Sequence, residues 1–296
     1  MNLLTKSILP VFFALAMSTA MASDLERQFD VGSGGKLIVD TNPGKLDIRT
    51  GGTDVQVEVL RSGERADEFL VEFEQKGNEV TIRGEWPSEL SSWRSRPRAR
   101  IEYRITIPSR FDLDLSTSGG SIRVEDLDGE LRAQTSGGAM SFGMVSGEVN
   151  AYTSGGSITL EGGGADANLN TSGGSIRVGE VAGDLKATTS GGSIRIAGVS
   201  GNVQANTSGG SVEATLRTQP TSDCRLSTSG GTVTLNLSDA FAVNIDASSS
   251  GGGVRSDFPI EGKTKSKRRL RGAINGGGPL MRLKSSGGGV RIRRGG

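Results

Sequence analysis

The chain has 296 residues and a formal net charge of +1, with 46 glycines, 4% aromatic residues and 34% hydrophobic ones. Such a composition excludes a bulky aromatic core, but its Val, Ile, Leu and Ala can fill thin, repeated layers. There is no His and a single Cys. Catalysis through a Ser-His-Asp or Cys-His group is therefore excluded, as are His- or Cys-based zinc sites and an intramolecular disulfide.

The chain begins like an export signal. Lys6 gives a positive start, Ile8 to Met17 an apolar run, and Ala20-Met21-Ala22 a small-x-small cleavage site. The run is too short to span a bilayer comfortably, and no later segment resembles a transmembrane anchor. Ser23, not Cys, follows the expected cut, which argues against a lipid-anchored lipoprotein. Residues 1–22 are thus expected to be a signal peptide, and the protein to be exported to the periplasm or cell surface of a bacterium.

Residues 23–116 alternate without repeating. Apolar and polar residues take turns over Lys36–Val39, Lys45–Ile48, Val55–Val59, Leu70–Phe73, Glu79–Arg83 and Ile101–Ile107. Period-two alternation predicts strands. This region is expected to be an antiparallel β cap, because an uncovered end of a strand stack invites edge-to-edge pairing.

Residues 117–254 repeat. Thr-Ser-Gly-Gly begins at Thr117, Thr135, Thr153, Thr171, Thr189 and Thr207, every 18 residues. Further copies start at Thr228, at Ser249 and, after a longer step of 36, at Ser285. Each unit offers two short alternating segments separated by glycines, which predicts one coil of a parallel β-solenoid with 18–21-residue coils, in an all-β protein. Identical positions then stack into columns. Ile122, Met140, Ile158, Ile176, Ile194, Val212 and Val233 form one inward column; Leu131, Val149, Ala167, Leu185, Val203, Cys224 and Ile245 form another. Cys224 is read as a small buried hydrophobe of that column.

Residues 255–296 are expected to be basic final coils and a cap. Residues 262–296 hold 11 Lys and Arg and no acidic residue, whereas residues 23–261 hold 22 basic against 33 acidic. The mature chain is an acidic body with a basic end.

Three groups are candidate sites. The segment around Trp86, Trp93, Arg94, Arg96 and Arg98 has the aromatic and arginine content of an interaction hot spot, or of a loop folded back as a lid. The cluster Lys263, Lys265, Lys267, Arg268, Arg269 and Arg271 would attract an anionic envelope or surface polymer, or another envelope protein; the alternative is a solvated connection neutralised by the acidic body. Export makes nucleic acid a poor partner. Glu130, Glu148, Asp166 and Asp184 form an acidic ladder that a cation could bridge, although a solvated face explains it as well.

The Thr-Ser-Gly-Gly-Ser-Ile repeats, the Tyr103-Arg104-Ile105-Thr106-Ile107-Pro108 entry, Ser256-Asp257-Phe258-Pro259 and the Ala273-Ile274-Asn275-Gly276-Gly277-Gly278 ending resemble one bacterial family. It is the adhesin-like, β-strand-repeat family of exported proteins of unknown function, related to head-GIN domains. The resemblance covers essentially all of the mature chain. It implies the solenoid fold and brings no catalytic residues and no cofactor. The reading is a non-catalytic exported binding or structural module of the cell envelope, of unspecified oligomeric state. Its rivals are a polysaccharide-active lyase or hydrolase on a β-helix and a self-assembling envelope scaffold.

Overall fold

A computed structural model of the protein describes residues 25–90 and 97–295, and for residues 263–265 the backbone alone. The expected signal peptide and residues Trp93, Arg94 and Arg96 lie outside the described residues, as do the side chains of Lys263 and Lys265. Among the described residues the strands form two sheets, one of 13 strands and one of 14. A single apolar core runs between them from Val31 to Ile292. The fold is an all-β solenoid with antiparallel strands at its N-terminal end.

Each repeat contributes one strand to each sheet. In the Thr171 coil these are Ala167–Thr171 and Ile176–Val181. Neighbouring coils pair parallel and in register, with Ile158 opposite Ile176 and Ala167 opposite Leu185. Alternation therefore sends the same sequence positions inward in every coil, at a spacing of about 4.8 Å. The Thr171 coil carries Ala167 and Leu169 where the Thr135 coil has Leu131 and Ala133, and all four are buried. Exchanging large and small partners keeps the layer volume constant, as close packing requires.

The repeated threonine points inward, and its hydroxyl satisfies two backbone groups. Thr171 Oγ1 donates to the Gly156 carbonyl of the preceding coil at 2.7 Å and accepts the Gly174 N–H of its own coil at 3.3 Å. The same pair of bonds recurs at Thr135, Thr153, Thr189, Thr207 and Thr228, and at Ser249 and Ser285. The second glycine of each pair is needed for clearance. A Cβ on Gly174 would collide with the Gly156 carbonyl, and none of these repeat glycines has a positive φ.

Both ends double back. Gly35–Asn42 and Lys45–Thr50 pair parallel with the first repeat strands, Phe111–Thr117 and Ile122–Val124. On their other side they pair parallel with Glu79–Glu85 and Ala99–Ile107. Among the described residues, antiparallel pairing at this end is confined to Leu25–Phe29, Val55–Gly63, Leu70–Lys76 and their partners. At the other end, Leu280–Ser285 and Val290–Arg294 insert between the Thr228 and Ser249 coils.

This insertion corrects the expected column. Ile245 does not stack on Cys224; Met281 stands between them. The 36-residue step leaves room for a hairpin, Glu261–Ser266 and Arg269–Ile274, which pairs antiparallel with Val243–Ser249. The hairpin covers the edge of Val243–Ser249, while Val254–Ser256 ends the other sheet; the last coil in sequence, Leu280–Ser285 and Val290–Arg294, lies between two other coils and is not a terminal edge. Cys224 itself is buried, and desolvation pushes its thiol above the ordinary range.

The threonine ladder makes a direct prediction. Thr171→Val keeps the shape but strands a donor and an acceptor, and is expected to cost about 2–4 kcal/mol in denaturant unfolding. Thr171→Ser retains both bonds and should cost about 1 kcal/mol or less, through its lost methyl. Equal losses for the two variants would show that the methyl, not the hydroxyl, matters.

Candidate functional site

The chain-end insertion builds a cationic face. On the outer side of the 14-strand sheet, Arg225 pairs in register with Arg282, Arg282 with Asp246, and Asp246 with Arg271. In the next row Lys284 and Arg269 flank Ser248. Their inward neighbours are Leu226, Leu283, Ala247 and Leu270, all buried. Strand alternation thus fixes the cations outward. Three of them, Arg269, Arg271 and Arg282, act on one carboxylate, that of Asp246.

That carboxylate is fully engaged. Arg271 donates Nε and Nη2 to the two Asp246 oxygens at 2.9 Å each, and Arg269 lies 4.0 Å away. The Arg271 bonds, against a partial desolvation penalty and with the charges of Arg271, Arg269 and Arg282, hold the Asp246 carboxyl below its usual range. Arg225, Arg282 and Lys284 are exposed and make no ion pair among the described residues. Lys267 and Arg268 extend the positive surface from the turn of the hairpin, where both are exposed.

Sequence reasoning found the hairpin cations but missed Arg225, Arg282 and Lys284. Their alternation was visible, but the inserted register that groups them was not. Arg291 and Arg293 belong to the other sheet, and Arg294 is held by Asp239 at 3.5 Å and lies over the Phe258 ring.

For Trp86 the hot-spot alternative is corrected and the lid alternative fits. The residue is buried at 4% exposure, packed edge-on against Phe69 at 5.2 Å. It belongs to the core of the N-terminal end, where burying a large ring is worth more than exposing it. Arg98 is exposed but near the opposite end of the stack from the cationic face. The structure does not bring these two candidate groups together.

The acidic ladder is partly used by the fold. Asp166 accepts the N–H of Asp184, and Asp184 accepts that of Asn202, at 2.8 Å in both cases. Glu148 accepts from the Asn150 amide at 2.7 Å. Asp166 and Asp184 thereby cap the corner of the next coil. No group of three or more potential ligands that could hold a metal ion occurs among the described residues.

The family model named Toastrack DUF4097 matches residues 35–293. The chain belongs to the Toastrack family. The family resemblance carried by the repeats is thereby borne out. Among solved structures it is similar to a "putative cell adhesion protein" from Clostridium sporogenes, at 14% identity and TM-score 0.23, covering 92% of this chain and 99% of the other. It is also similar to a "putative adhesin" from Bacteroides fragilis, at 16% identity and TM-score 0.42, covering 91% and 96%. A "putative lipid binding protein" from Parabacteroides distasonis matches at 13% identity and TM-score 0.37, covering 92% and 96%. No curated protein matches the chain. In this Toastrack chain no helix among the described residues is long and apolar enough to cross a membrane.

The Asp246 pair predicts an acid-sensitive C-terminal end. Its carboxyl is held low in the folded state, so its stabilising contribution is complete above the ordinary carboxylate range, at about pH 4. The contribution is lost as pH falls through the lowered value. Asp246→Asn should be less stable than the natural protein at neutral pH, with the difference shrinking as acid is added. A difference independent of pH in thermal unfolding would remove the electrostatic explanation.

Proposed function

We propose that the protein is an exported, non-catalytic binding module of the bacterial cell envelope, and that its cationic face holds an anionic envelope or surface polymer. The observation that carries this is the concentration of Arg225, Arg269, Arg271, Arg282 and Lys284 on one outer surface, against the carboxylates of Asp246 and, at the hairpin, Glu261. Arg225 and Arg282 stand on adjacent strands, with Lys284 in the row beside Arg282, and this exposed positive surface is complementary to phosphate, sulfate or carboxylate groups of a polymer. Arginine adds planar, two-pronged recognition of such groups. The export signal read from residues 1–22 supplies the address. Family membership fits a binding or structural module and supports the reading at that level.

The test is binding of the protein to its own cell-envelope fractions at low and high salt. The triple variant Arg225→Gln, Arg282→Gln, Lys284→Gln removes cations that hold no ion pair, so the fold should survive. It should weaken low-salt binding at least about tenfold, because each cation near an anionic surface is worth roughly 1 kcal/mol. Unaltered binding in the variant would sink the assignment to this face. No binding of the natural protein at any salt would sink the polymer altogether.

A further inference from the structure

The outer face of the 14-strand sheet has a second chemistry, away from its cationic end. The outward row nearest the threonines runs through Gln134, Tyr152, Asn170, Thr188, Asn206 and Ser227, one residue per coil and in register. The parallel row beside it runs Arg132, Asn150, Asn168, Lys186 and Gln204, three amides interrupted by single cations. Asparagine is poorly suited to strands, so its recurrence here works against the fold. The corresponding outer row of the other sheet contains no amide, with Arg123, Ser141, Thr159, Arg177 and Arg195 in register.

Stacked in-register amides can stabilise a sheet by bonding to each other as a ladder. Here they do not. The amide bonds within these two rows run from Ser227 to Asn206 and from Asn150 to Glu148. Gln134, Asn168, Asn170 and Gln204 keep both amide donors and acceptors unengaged toward solvent. Tyr152 lies among them with 44% of its surface exposed. A cavity of about 410 Å³ runs along the same face beside that strip, lined by the amides Asn150, Asn168, Asn202 and Gln204, by Glu148, Asp166 and Asp184, and by Lys186.

The geometry points to a glycan site: the amide and tyrosine strip from Gln134 to Asn206 holds a run of sugar residues, with the chain axis along the stack. Planar amides give and accept paired hydrogen bonds, which suits vicinal hydroxyls. The exposed phenol ring offers an apolar face for the C–H side of a pyranose and a hydroxyl at its edge. The acidic row along the cavity, three carboxylates against the single cation Lys186, offers further acceptors and disfavours a chain of dense negative charge. The coil spacing of about 4.8 Å is close to the length of one pyranose unit, so successive coils meet successive sugars.

This deepens the proposed function, on which its charged end rests. The strip continues into the cationic face, where Ser227 pairs with Lys284. From Tyr152 to the strand of Lys284 is five coil spacings, about 24 Å. The polymer is thereby narrowed to a glycan with stretches of uncharged sugar and occasional acidic groups. A polyphosphate or a densely charged polyuronate fits only the cationic end.

Three defined polymers test this with the full chain. Gellan carries one acidic sugar per four, dextran carries sugar without charge, and linear polyphosphate carries charge without sugar. The double variant Tyr152→Ala, Asn170→Ala changes exposed side chains only. It should lose gellan affinity about tenfold while polyphosphate affinity stays unchanged. The cationic triple variant should weaken both gellan and polyphosphate. Weak dextran binding that disappears in the double variant would support the strip directly. Gellan bound equally by the double variant and the natural protein would overturn the glycan strip and leave the anionic-polymer reading standing. Failure of gellan and polyphosphate alike to bind the natural protein would remove both.

Discussion

One hydroxyl per coil holds the stack in register. A parallel sheet of short strands can slip by a coil or lose its corners, because its turns present backbone groups that no strand ladder satisfies. The threonine before each glycine pair binds the glycine carbonyl of the coil before and the glycine N–H of its own. It can do so because a hydroxyl both donates and accepts, which valine of the same shape cannot. The glycine must lack a Cβ because the carbonyl it would strike is the one the threonine binds. The tetrapeptide is therefore a single device, and its two residue types explain each other.

Register at the corners has consequences for the outer surface. Once the inward columns are fixed, the outward residues are fixed too, one row per alternate position. Rows of like residues are then either mutually supporting or available to a ligand. Asp166 and Asp184 belong to the first kind, since each accepts the backbone N–H of the following coil. Gln134, Asn168, Asn170 and Gln204, and the cations Arg225, Arg282 and Lys284, make no such bonds and stay exposed to solvent. The solenoid converts a sequence period into a surface with a repeat length, which is what an extended polymer requires.

The two chain ends solve the problem of exposed edges by the same topological move. Each passes a coil outward and then returns to place another coil inside it. At the N-terminal end the returning segments bring Trp86 and Phe69 into a closed apolar layer. At the C-terminal end the return inserts Met281 and Leu283 between coils that are neighbours in sequence. The basic residues that follow are thereby split. Arg282 and Lys284 join Arg225 and Arg271, while Arg291 and Arg293 go to the opposite sheet.

The sequence by itself determined the coil, its period, its inward columns as far as the Thr228 coil and the burial of Cys224. Each of these follows from local alternation and from the demands of a glycine corner, which act within one repeat. It also exposed the acidic body and the basic end, since charge can be counted without a fold. Only the tertiary structure decided that the last coil is inserted, that Trp86 is buried, and that Arg225 belongs with residues 57 positions away. Those outcomes depend on which edges must be covered, and edge burial is a property of the completed stack rather than of any segment within it.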